Sequence, residues 1–557
     1  MIKIDEIEGG DWLDEHRTCD RRALRVFKVR AEASGDPTAN LAADLAERSE
    51  RLGALMDDLA AQPHPVAITG SAWSQADLFA SPAVRVDTAM DKAVWAIPED
   101  ALAPDFAGDA DRYVVATGGA KLYDIMRFLD ARGLSLRTAG SHNGQSIAGA
   151  IATGTHGSVL GEAGLERHVR GILFIGGSGA RHWIADPDCP VLSEAFIQGF
   201  ATPADPALFH DAVIHLGGLG YCAAVLLEGV PRFGLSWKKT IAPLAPSWWD
   251  AVARADYKSA AAPLIGEETP AFYELTFDPN SGLDADVMQT VYWRDPLPEP
   301  DLASGPPDPS GLPPQAPARD ALDLVTDAIN SFSQSMVASR SAKDEDDEDD
   351  RDGGFLSFAR RLRLLDIAQL TFDDFRKDAA QRPLSNQPES LVALTGDWQP
   401  REVFGIRIDT FNAALSVPVA ELRRALEIGT TIAADWRKHF VFTVRFAKRS
   451  RARLSFLRFE DTAIINIDGL TRAGIAGWIS HSDEFSRAFT QALEEAGVPF
   501  SMHWGKDIES DADKIAADFG PPQTGPAARY KAARAQLVPE GLREKLCPPM
   551  LQRWGLA

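Results

Sequence analysis

The residues best suited to chemistry in this sequence are concentrated in one stretch, TAGSHNGQSIAGAIATGTHGS (138–158). Its glycines let a backbone approach a ligand closely, and successive backbone N–H groups can form an anion-binding concavity. Its serine and threonine hydroxyls offer further hydrogen bonds to phosphate or sugar oxygens. Ile147, Ala150 and Ile151 are interleaved with the glycines, which indicates burial. The stretch therefore predicts a partly buried ligand-binding loop, and it lacks the G-x-G-x-x-G spacing of a Rossmann dinucleotide site.

Two cationic side chains in the C-terminal half lie in segments of distinctive pattern. Lys506 ends MHWGK (502–506), and Arg445 lies in HFVFTVRFA (439–447), which alternates strictly between two faces. An arginine that points inward from a strand needs either a reaction to serve or a buried acidic partner. Both explanations stay open for Arg445, and for Lys506 the alternative is an ordinary surface lysine.

Regular elements flank the glycine-rich loop and must position it. Residues 40–59 have apolar residues at helical spacing, and KLYDIMRFLDARG (121–133) has one apolar helical face. Three short runs are typical of strands: VAI (66–68), VRVD (84–87) and YVVATGG (113–119). Strands, glycine turns and helices in this order predict an α+β domain that binds its ligand on loops. AIINID (463–468) and SRAFTQALEEAG (486–497) predict a further strand and helix.

Composition and charge limit the classes of function. At 557 residues the chain exceeds the size of one core, and 45% apolar with 25% charged residues is ordinary for a globular protein. The net charge of −23 argues against a nucleic acid or an anionic membrane as the main partner. The four cysteines lack CxxC spacing, so neither a disulfide framework nor a metal site is expected.

Targeting and membrane signals are not recognised in the sequence. No apolar run reaches 18 residues, so no membrane insertion is expected. The Arg21-Arg22 pair resembles the start of a twin-arginine signal, but a charged segment follows where an apolar one is required. We therefore expect a cytoplasmic enzyme.

A segment of unusual composition interrupts the chain at 296–354. Nine prolines occur between Pro296 and Pro317, too many for a helix or a central strand. An acidic run at 344–350 follows and leads into Gly353-Gly354. We interpret the segment as a flexible, solvated insertion, and the alternative is an acidic docking segment for a partner.

Four segments, in the same order, resemble the vanillyl-alcohol-oxidase superfamily of flavoproteins. The first, ITGSAWSQADL (68–78), is similar to its pyrophosphate loop, and the second, SIAGAIATGTHGS (146–158), to the flavin-contacting loop of its aldonolactone and alditol oxidase branch. The third, HLGGLGYCAAVLLEGVP (215–231), is similar to the segment that closes its FAD domain. The fourth, MHWGK (502–506), is similar to its C-terminal P-H-W-G-K motif. The likeness runs from about 65 to 231 and from about 440 onward. The first sixty residues and about 236–400 do not share it.

The resemblance implies an α+β fold, with a two-subdomain FAD-binding domain of the PCMH type followed by an α+β substrate or cap domain. A C-terminal segment is expected to return to the flavin. The expected divisions are an N-terminal extension with a helix (1–62), the FAD-binding domain (63–235), the cap domain (236–500) with its insertion (296–354), and the C-terminal segment with the HWGK motif (501–557).

The resemblance also implies bound FAD and assigns residues to it. Four are expected at the pyrophosphate: Gly70, Ser71, Ala72 and Ser74. Six are expected along the ribityl chain and isoalloxazine: Ser146, Gly149, Thr153, Gly154, His156 and Gly157. Gly220 and Tyr221 are expected near the adenine, and Gly140 with Ser141 at the reactive edge of the flavin.

The chain departs from its relatives where many of them attach the flavin covalently. Trp73 stands where many relatives have the linking histidine, and the glycine-rich loop contains no cysteine. We therefore expect non-covalent FAD. Trp73 either stacks beside the flavin or packs as an ordinary aromatic residue.

The reaction implied is hydride transfer from a carbon that carries a hydroxyl group to flavin N5, with the protein supplying orientation and charge. Lys506 is expected to stabilise negative charge on the reduced flavin, and Arg445 to face the substrate oxygen. His503, Ser141 and His142 complete the catalytic candidates.

The proton acceptor stays open at this stage. Relatives have a glutamate where this chain has Thr443, so His142, Asp409 and water remain as alternatives. His156 is expected to be a hydrogen-bonding residue of the cofactor loop more than a base.

The leading interpretation is an FAD-dependent alcohol, sugar or lactone oxidase, because Gly140 leaves room for molecular oxygen at the reactive edge. One alternative is a dehydrogenase that passes electrons to a quinone or a protein. A second is an oxidase of a bulky, sterol-like alcohol. A third is a flavoprotein that binds FAD without oxidising a small alcohol.

Overall fold

The structure, a computed structural model, covers most of the chain on either side of the insertion. It describes residues 2–13, 20–31, 41–140, 142–296, 372, 385–389, 408–432, 438, 440–473, 482–507, 510–521 and 523–557. The predicted insertion therefore lies outside the described residues, apart from residue 296.

The N-terminal half contains short strands joined by glycine-rich turns. Its strands are β1 (Ile2–Leu13), β2 (Asp20–Ala31), β3 (Val66–Thr69), β4 (Ala83–Met90), β5 (Val94–Ala96), β6 (Tyr113–Thr117), β7 (Leu134–Ser135), β8 (Val169–Gly177), β9 (Ala180–Ala185), β10 (Thr202–Pro203), β11 (Tyr221–Glu228) and β12 (Val230–Pro231). Its α-helices are α1 (Leu41–Ala61), α2 (Leu122–Asp130), α3 (Ile147–Thr153), α4 (Glu194–Gln198) and α5 (Phe209–Ala212). The two helices and three strands predicted for this half are confirmed as α1, α2, β3, β4 and β6.

Two larger sheets organise the described part of this half, and β7 and β12 form a short antiparallel pair beside them. The first has the order β1-β2-β4-β3, in which β2 and β3 run parallel to β4. The second has the order β10-β9-β8-β11-β6-β5 and is antiparallel apart from the β9–β10 pair. Leu52 and Met56 of α1 belong to the same buried core as Ile172 and Phe174 of β8. Helix α1 thus closes one side of the second sheet.

The N-terminal extension contains more structure than the helix expected from the sequence. Strands β1 and β2 pair with each other and extend the sheet of β4 and β3. Arg21, on β2, is buried, and its guanidinium forms a 2.5 Å salt bridge with Asp77. The extension is therefore built into the sheet that carries the predicted pyrophosphate loop.

The C-terminal half is built on one antiparallel sheet of eight strands. They are β13 (Gly234–Ala242), β14 (Pro270–Phe277), β15 (Val287–Asp295), β16 (Ser385–Glu389), β17 (Ile408–Pro418), β18 (Phe440–Lys448), β19 (Asp461–Ala473) and β20 (Ser501–Met502). Their order is β16-β13-β15-β14-β18-β19-β17-β20. The helices are α6 (Pro246–Ala253), α7 (Tyr257–Ile265), α8 (Leu422–Thr431), α9 (Ser482–Glu495), α10 (Ala512–Phe519), α11 (Pro526–Leu537), α12 (Glu540–Lys545) and α13 (Pro549–Arg553).

Alternation along the strands gives this sheet two different faces. One face is apolar and packs against α6 to α9 in a core that includes Phe442 and Val444. The other face, called the polar face below, carries Thr443 and Arg445 on the same strand. Further along this face, Trp237 and other aromatic residues join the core of the N-terminal half. The predicted alternation of β18 is confirmed, and it directs Arg445 toward the N-terminal half.

The last four helices return to the N-terminal half. Phe519, Tyr530, Leu537 and Leu551 are buried in the core that contains α1 and β8. The predicted return of the C-terminal segment is therefore observed. Among the helices that the structure describes, none is both long enough and apolar enough to cross a membrane.

Candidate active site

A large cavity lies between the glycine-rich loops and the polar face of the eight-stranded sheet. Its empty volume is about 1670 Å³, counting the open mouth. It is lined by fifteen of the residues predicted from the sequence: Gly70, Ser71, Ala72, Trp73, Ser74, Gly140, His142, Ser146, Gly149, Thr153, His156, Gly220, Arg445, His503 and Lys506. Gly154, Gly157 and Tyr221 do not line it, and Ser141 lies outside the described residues.

The predicted pyrophosphate loop follows β3 and touches the second glycine-rich loop. A Cβ placed on Gly70 would lie 1.9 Å from Ser146 Oγ, so a larger residue does not fit without displacing that side chain. Ala72 has a φ of +52°, a left-handed conformation that turns the loop sharply. The hydroxyl of Ser71 is buried and has no protein partner among the described residues. Small residues and an unpaired donor beside a cavity fit the diphosphate of FAD.

Two glycines of the second loop shape it instead of lining the cavity. Gly154 ends α3 with a φ of +75°, which glycine adopts without the strain that a Cβ would cause. A Cβ on Gly157 would lie 2.4 Å from the carbonyl oxygen of Ala139. These glycines are needed because the chain turns back closely on itself.

Trp73 packs onto the glycine-rich loop at the cavity wall. Its ring would lie 2.6 Å from a Cβ on Gly144, and its centroid is 5.4 Å from that of His142. Trp73 therefore packs as an ordinary aromatic residue against Gly144, and because it borders the cavity, stacking beside the flavin stays a prediction.

The opposite end of the cavity is bounded by Gly220, with a φ of +96°, and by the loop of His215 and Gly217. Tyr221 was expected beside the adenine, but its side chain turns into the core. Its hydroxyl donates to Asp91 Oδ2 at 3.3 Å, and burial raises the pKa of Tyr221. The strand period explains the difference, because neighbouring residues of β11 point to opposite faces.

The C-terminal helices close this end of the cavity, which sequence reasoning missed. Leu546 and Pro548 line it. Buried Arg534 donates from Nε to the Gly218 carbonyl at 3.1 Å, and from Nη2 to the carbonyls of Arg543 and Leu546 at 2.6 and 2.7 Å. One guanidinium thus joins the loop before β11 to the segment after α12.

Replacing Arg534 by methionine should weaken FAD retention more than it slows the chemical step. Three carbonyls lose their shared donor, and buried unpaired carbonyls cost about 1–3 kcal/mol each. Bound FAD per protein after gel filtration and the dissociation constant of FAD would be compared with those of an Arg553→Met control on the last helix. Unchanged FAD affinity would show that this clamp does not shape the cofactor site.

The MHWGK motif connects the polar face to the pyrophosphate loop. The His503 N–H donates to the Ala414 carbonyl of β17 at 3.0 Å. The Gly505 carbonyl accepts from the Gln75 N–H at 3.0 Å. Trp504 Nε1 donates to the Leu454 carbonyl at 2.6 Å. These bonds place Lys506 in the cavity beside the first loop.

Two histidines near Lys506 are neutral and engaged by the backbone. His156 Nδ1 lies 2.9 Å from the Gly157 carbonyl, and burial, followed by Arg445, lowers the pKa of His156 to about 3. His503 Nδ1 accepts from the Gly505 N–H at 3.0 Å, and the ring also bonds to the backbone of Gly154. Burial lowers the pKa of His503 well below its usual value. His503 is thus a buried neutral imidazole in the cavity wall, and its catalytic role stays a prediction.

Arg445 has the buried acidic partner that its position demands, and it also lines the cavity. Its Nε lies 2.7 Å from Glu274 Oε2, and the two residues are paired in register on β18 and β14. Lys506 also lines the cavity, and both cations lower the pKa of His156. We call the end of the cavity bounded by Arg445, Lys506 and His156 the redox end.

Three polar residues of the redox end were not singled out from the sequence. Asn412, Asn466 and Asp468 line the cavity from β17 and β19. Asn412 Nδ2 donates to Asp468 Oδ1 at 2.6 Å. The alternation in AIINID (463–468) could have predicted them, because Asn466 and Asp468 alternate with isoleucines that face the apolar core. Asp409, the other acid considered, is on β17, where the structure gives no description of its side chain.

The chain has recognisable relatives. Residues 42–184 match the family model described as FAD binding domain. A putative D-arabinono-1,4-lactone oxidase of Neurospora crassa is 37% identical over 132 residues, 23% of this chain and 20% of that protein. An alditol oxidase of a Streptomyces species is 30% identical over 160 residues, 28% of this chain and 34% of that protein. The crystal structure of cholesterol oxidase from B. sterolicum has a TM-score of 0.64 at 13% identity, covering 99% of this chain and 97% of that one.

These matches differ in what they establish. The structural likeness covers the whole chain and confirms the predicted α+β fold. The matched segment spans only about a fifth to a third of the length of the curated relatives. Residues 42–184 are similar to an FAD binding domain, and the chain as a whole shares its fold with the cholesterol oxidase. The resemblance to the aldonolactone and alditol oxidase branch is confirmed.

Proposed function

We propose that this protein is an FAD-dependent oxidase that converts the CH–OH group of a small alcohol, sugar or lactone to a carbonyl group, with molecular oxygen as the acceptor. The observation that carries the proposal is the redox end, where Arg445 and Lys506 both line a cavity walled by glycine-rich loops. The lactone and alditol oxidases named above support the class of substrate. A cytoplasmic location remains part of the proposal.

Each residue of the redox end has a definite task in this proposal. When bound, FAD supplies the hydride acceptor. Arg445 donates hydrogen bonds to the substrate oxygen, and Glu274 fixes the direction of its guanidinium through Nε. Lys506 supplies a fixed positive charge at the cofactor. His503 accepts from the Gly505 N–H and so holds the turn of the MHWGK motif that carries Lys506.

Arg445 lines the cavity from the sheet opposite the glycine-rich loops, and Glu274 pairs with it. Burying this ion pair has a desolvation cost that a protein only storing FAD would not need to bear, which favours a catalytic site over an inert cofactor pocket. A dehydrogenase that uses a quinone or a protein is the second candidate, since the same residues serve the same hydride transfer.

An anaerobic screen tests the function. Purified protein would be mixed without oxygen with alditols, aldoses, aldonolactones, aliphatic alcohols and sterols, and the loss of the visible absorbance of the oxidised flavin would be followed. We expect bleaching with at least one polyhydroxylated compound, and hydrogen peroxide in stoichiometric amounts when air is admitted. Bleaching without peroxide would identify a dehydrogenase, and no bleaching with any compound would refute the proposal.

The flavin is proposed to be non-covalent. Trp73 borders the cavity but has no nucleophilic nitrogen suited to the linkage. Cys222 is the described cysteine in the cavity wall, and burial raises the pKa of its thiol, which disfavours the reactive thiolate. Acid or heat precipitation should therefore leave FAD in the supernatant, measured by its fluorescence. A yellow pellet after acid treatment would contradict this prediction and point to attachment through another residue.

A further inference from the structure

Asn412 presents a buried hydrogen-bond acceptor in the cavity wall, and the proposed function has so far given it no task. It lines the cavity from β17 and is 5% exposed. Its side-chain oxygen is buried and has no hydrogen-bond partner among the residues that the structure describes. A buried acceptor without a donor costs free energy, so a donor that arrives from the cavity would stabilise this part of the wall.

The carboxylate of Asp468 fixes the orientation of the Asn412 amide. The two residues are paired in register across β17 and β19, and Asn412 Nδ2 donates to Asp468 Oδ1 at 2.6 Å. A carboxylate can only accept hydrogen bonds, so the amide nitrogen must be the end that is bonded to it. A flipped amide would place two acceptors against each other. The amide oxygen of Asn412 is therefore held ready for a donor.

Strand register places Asn412 away from the reacting carbon of the substrate. Arg445 is paired with Ile464 on β19, whereas Asp468, the partner of Asn412, lies four residues further along that strand. At about 3.3 Å per residue, this offset is roughly 13 Å between the two backbone levels. Asn412 therefore does not bind the hydroxyl that the proposed function gives to Arg445, and it can meet only a more distant part of the substrate.

The cavity continues over this distance along the polar face. Asn466, which is two residues from Ile464 on β19, also lines it. Asn466 Nδ2 donates to the Thr443 carbonyl at 3.2 Å, so the nitrogen of this amide is also engaged by the protein. A chain of hydroxyl-bearing carbons that lay along the polar face would thus meet Arg445 near one end and Asn412 near the other.

We propose that Asn412 is a specificity-determining residue whose amide oxygen accepts a hydrogen bond from a substrate hydroxyl remote from the carbon that is oxidised. Asp468 is the positioning residue that orients this amide. The inference rests on the proposed function and narrows its substrate class to a straight-chain polyhydroxylated compound, such as an alditol. A sterol has its hydroxyl at the reacting carbon, so it would leave the Asn412 oxygen buried without a donor.

The test uses the FAD-loaded protein with glycerol, sorbitol and the deoxy analogue of sorbitol that lacks the hydroxyl at the far end. Asn412→Leu removes the acceptor at similar volume, and Asp468→Asn loosens the orientation of the amide. Ser416→Ala is the matched control, because Ser416 lies on the same strand and face, bonds to the Phe456 carbonyl at 2.6 Å and does not line the cavity. Readouts are kcat/KM, the anaerobic rate of flavin bleaching, the dissociation constant of FAD and the thermal midpoint.

Asn412→Leu should lower kcat/KM for sorbitol by roughly 10-fold, the effect of one hydrogen bond. Glycerol is too short to reach Asn412 and should react as it does with the parent. The parent should prefer sorbitol to its deoxy analogue, and Asn412→Leu should lose that preference. Asp468→Asn should show a smaller change of the same kind. FAD affinity should stay at the parental value in all variants, and Ser416→Ala should keep the parental preference.

The ratio of rates for sorbitol and its deoxy analogue decides the inference. If Asn412→Leu keeps the parental ratio, the inference fails, and a lower thermal midpoint would then assign the amide to the fold. It fails also if FAD affinity falls while the ratio is kept, because the donor would then belong to the cofactor. If the parent bleaches with other compounds and not with sorbitol, the inference fails and the proposed function stands. If no compound bleaches the parent, both fail.

Discussion

Replacing Arg445 or Lys506 by methionine is expected to slow anaerobic flavin bleaching by on the order of 10²-fold while FAD stays bound. Both side chains reach the redox end, where Arg445 is directed by Glu274 and Lys506 follows the backbone bonds of His503 and Gly505. Their charges act most strongly as negative charge develops, so the maximal rate should fall more than the substrate affinity.

Several variants sharpen this prediction. Lys258→Met removes an exposed charge on α7, beyond the apolar face of the sheet, and should leave every quantity unchanged. Lys506→Met should also lower the reduction potential of the flavin, and Arg445→Met should lower it less.

Glu274→Gln should slow flavin bleaching less than Arg445→Met does, since the guanidinium loses its orientation but keeps its charge. Parental bleaching rates in both methionine variants would remove Arg445 and Lys506 from the active site.

The largest expected effect on stability comes from a buried ion pair behind the cofactor cavity. Arg48 Nη1 of α1 lies 2.7 Å from Asp91 Oδ2, and their side chains are 2% and 0% exposed. Arg48→Met would leave the Asp91 carboxylate buried without its cation, which costs about 3–5 kcal/mol. Tyr221, which donates to the same oxygen, cannot replace a full positive charge. The thermal midpoint of the variant should fall accordingly.

The double variant Arg48→Met/Asp91→Leu is the control. Replacing both charges by apolar side chains of similar size removes the uncompensated carboxylate, so stability should largely return. A double variant as unstable as the single one would show that shape at this point matters more than charge.

The local part of this structure was accessible from the sequence. Helical and strand periods predicted α1, α2, β3, β4 and β18, because each signal lies within one short segment. The composition of the glycine-rich loops predicted that they bind a ligand. Close approaches such as that of Gly70 to Ser146 explain why glycine is needed there. Strands β1 and β2 were not predicted, although Ile2 and Ile4 alternate with polar residues.

The part that escaped prediction depends on register between distant strands. Nothing in the sequence says that Glu274 is paired with Arg445, or Asn412 with Asp468, since each pairing joins segments far apart in the chain. The same holds for Arg534, whose three carbonyl partners lie on two segments. Tyr221 was expected beside the adenine together with Gly220. Because neighbouring residues of a strand point to opposite faces, the position of Gly220 at the cavity directs the Tyr221 side chain away from it.

The bond between the Gly505 carbonyl and the Gln75 N–H has a consequence for biosynthesis. The first half can begin to fold while the ribosome is still translating the second, because domains fold as units from the N-terminus. Its pyrophosphate loop nevertheless gains its backbone bond to Gly505 only when residues near 505 have emerged, and the opposite end of the cavity closes later still with Leu546 and Pro548. The nascent chain therefore carries an incomplete flavin pocket for most of its synthesis, and cofactor capture becomes one of the final steps of its maturation.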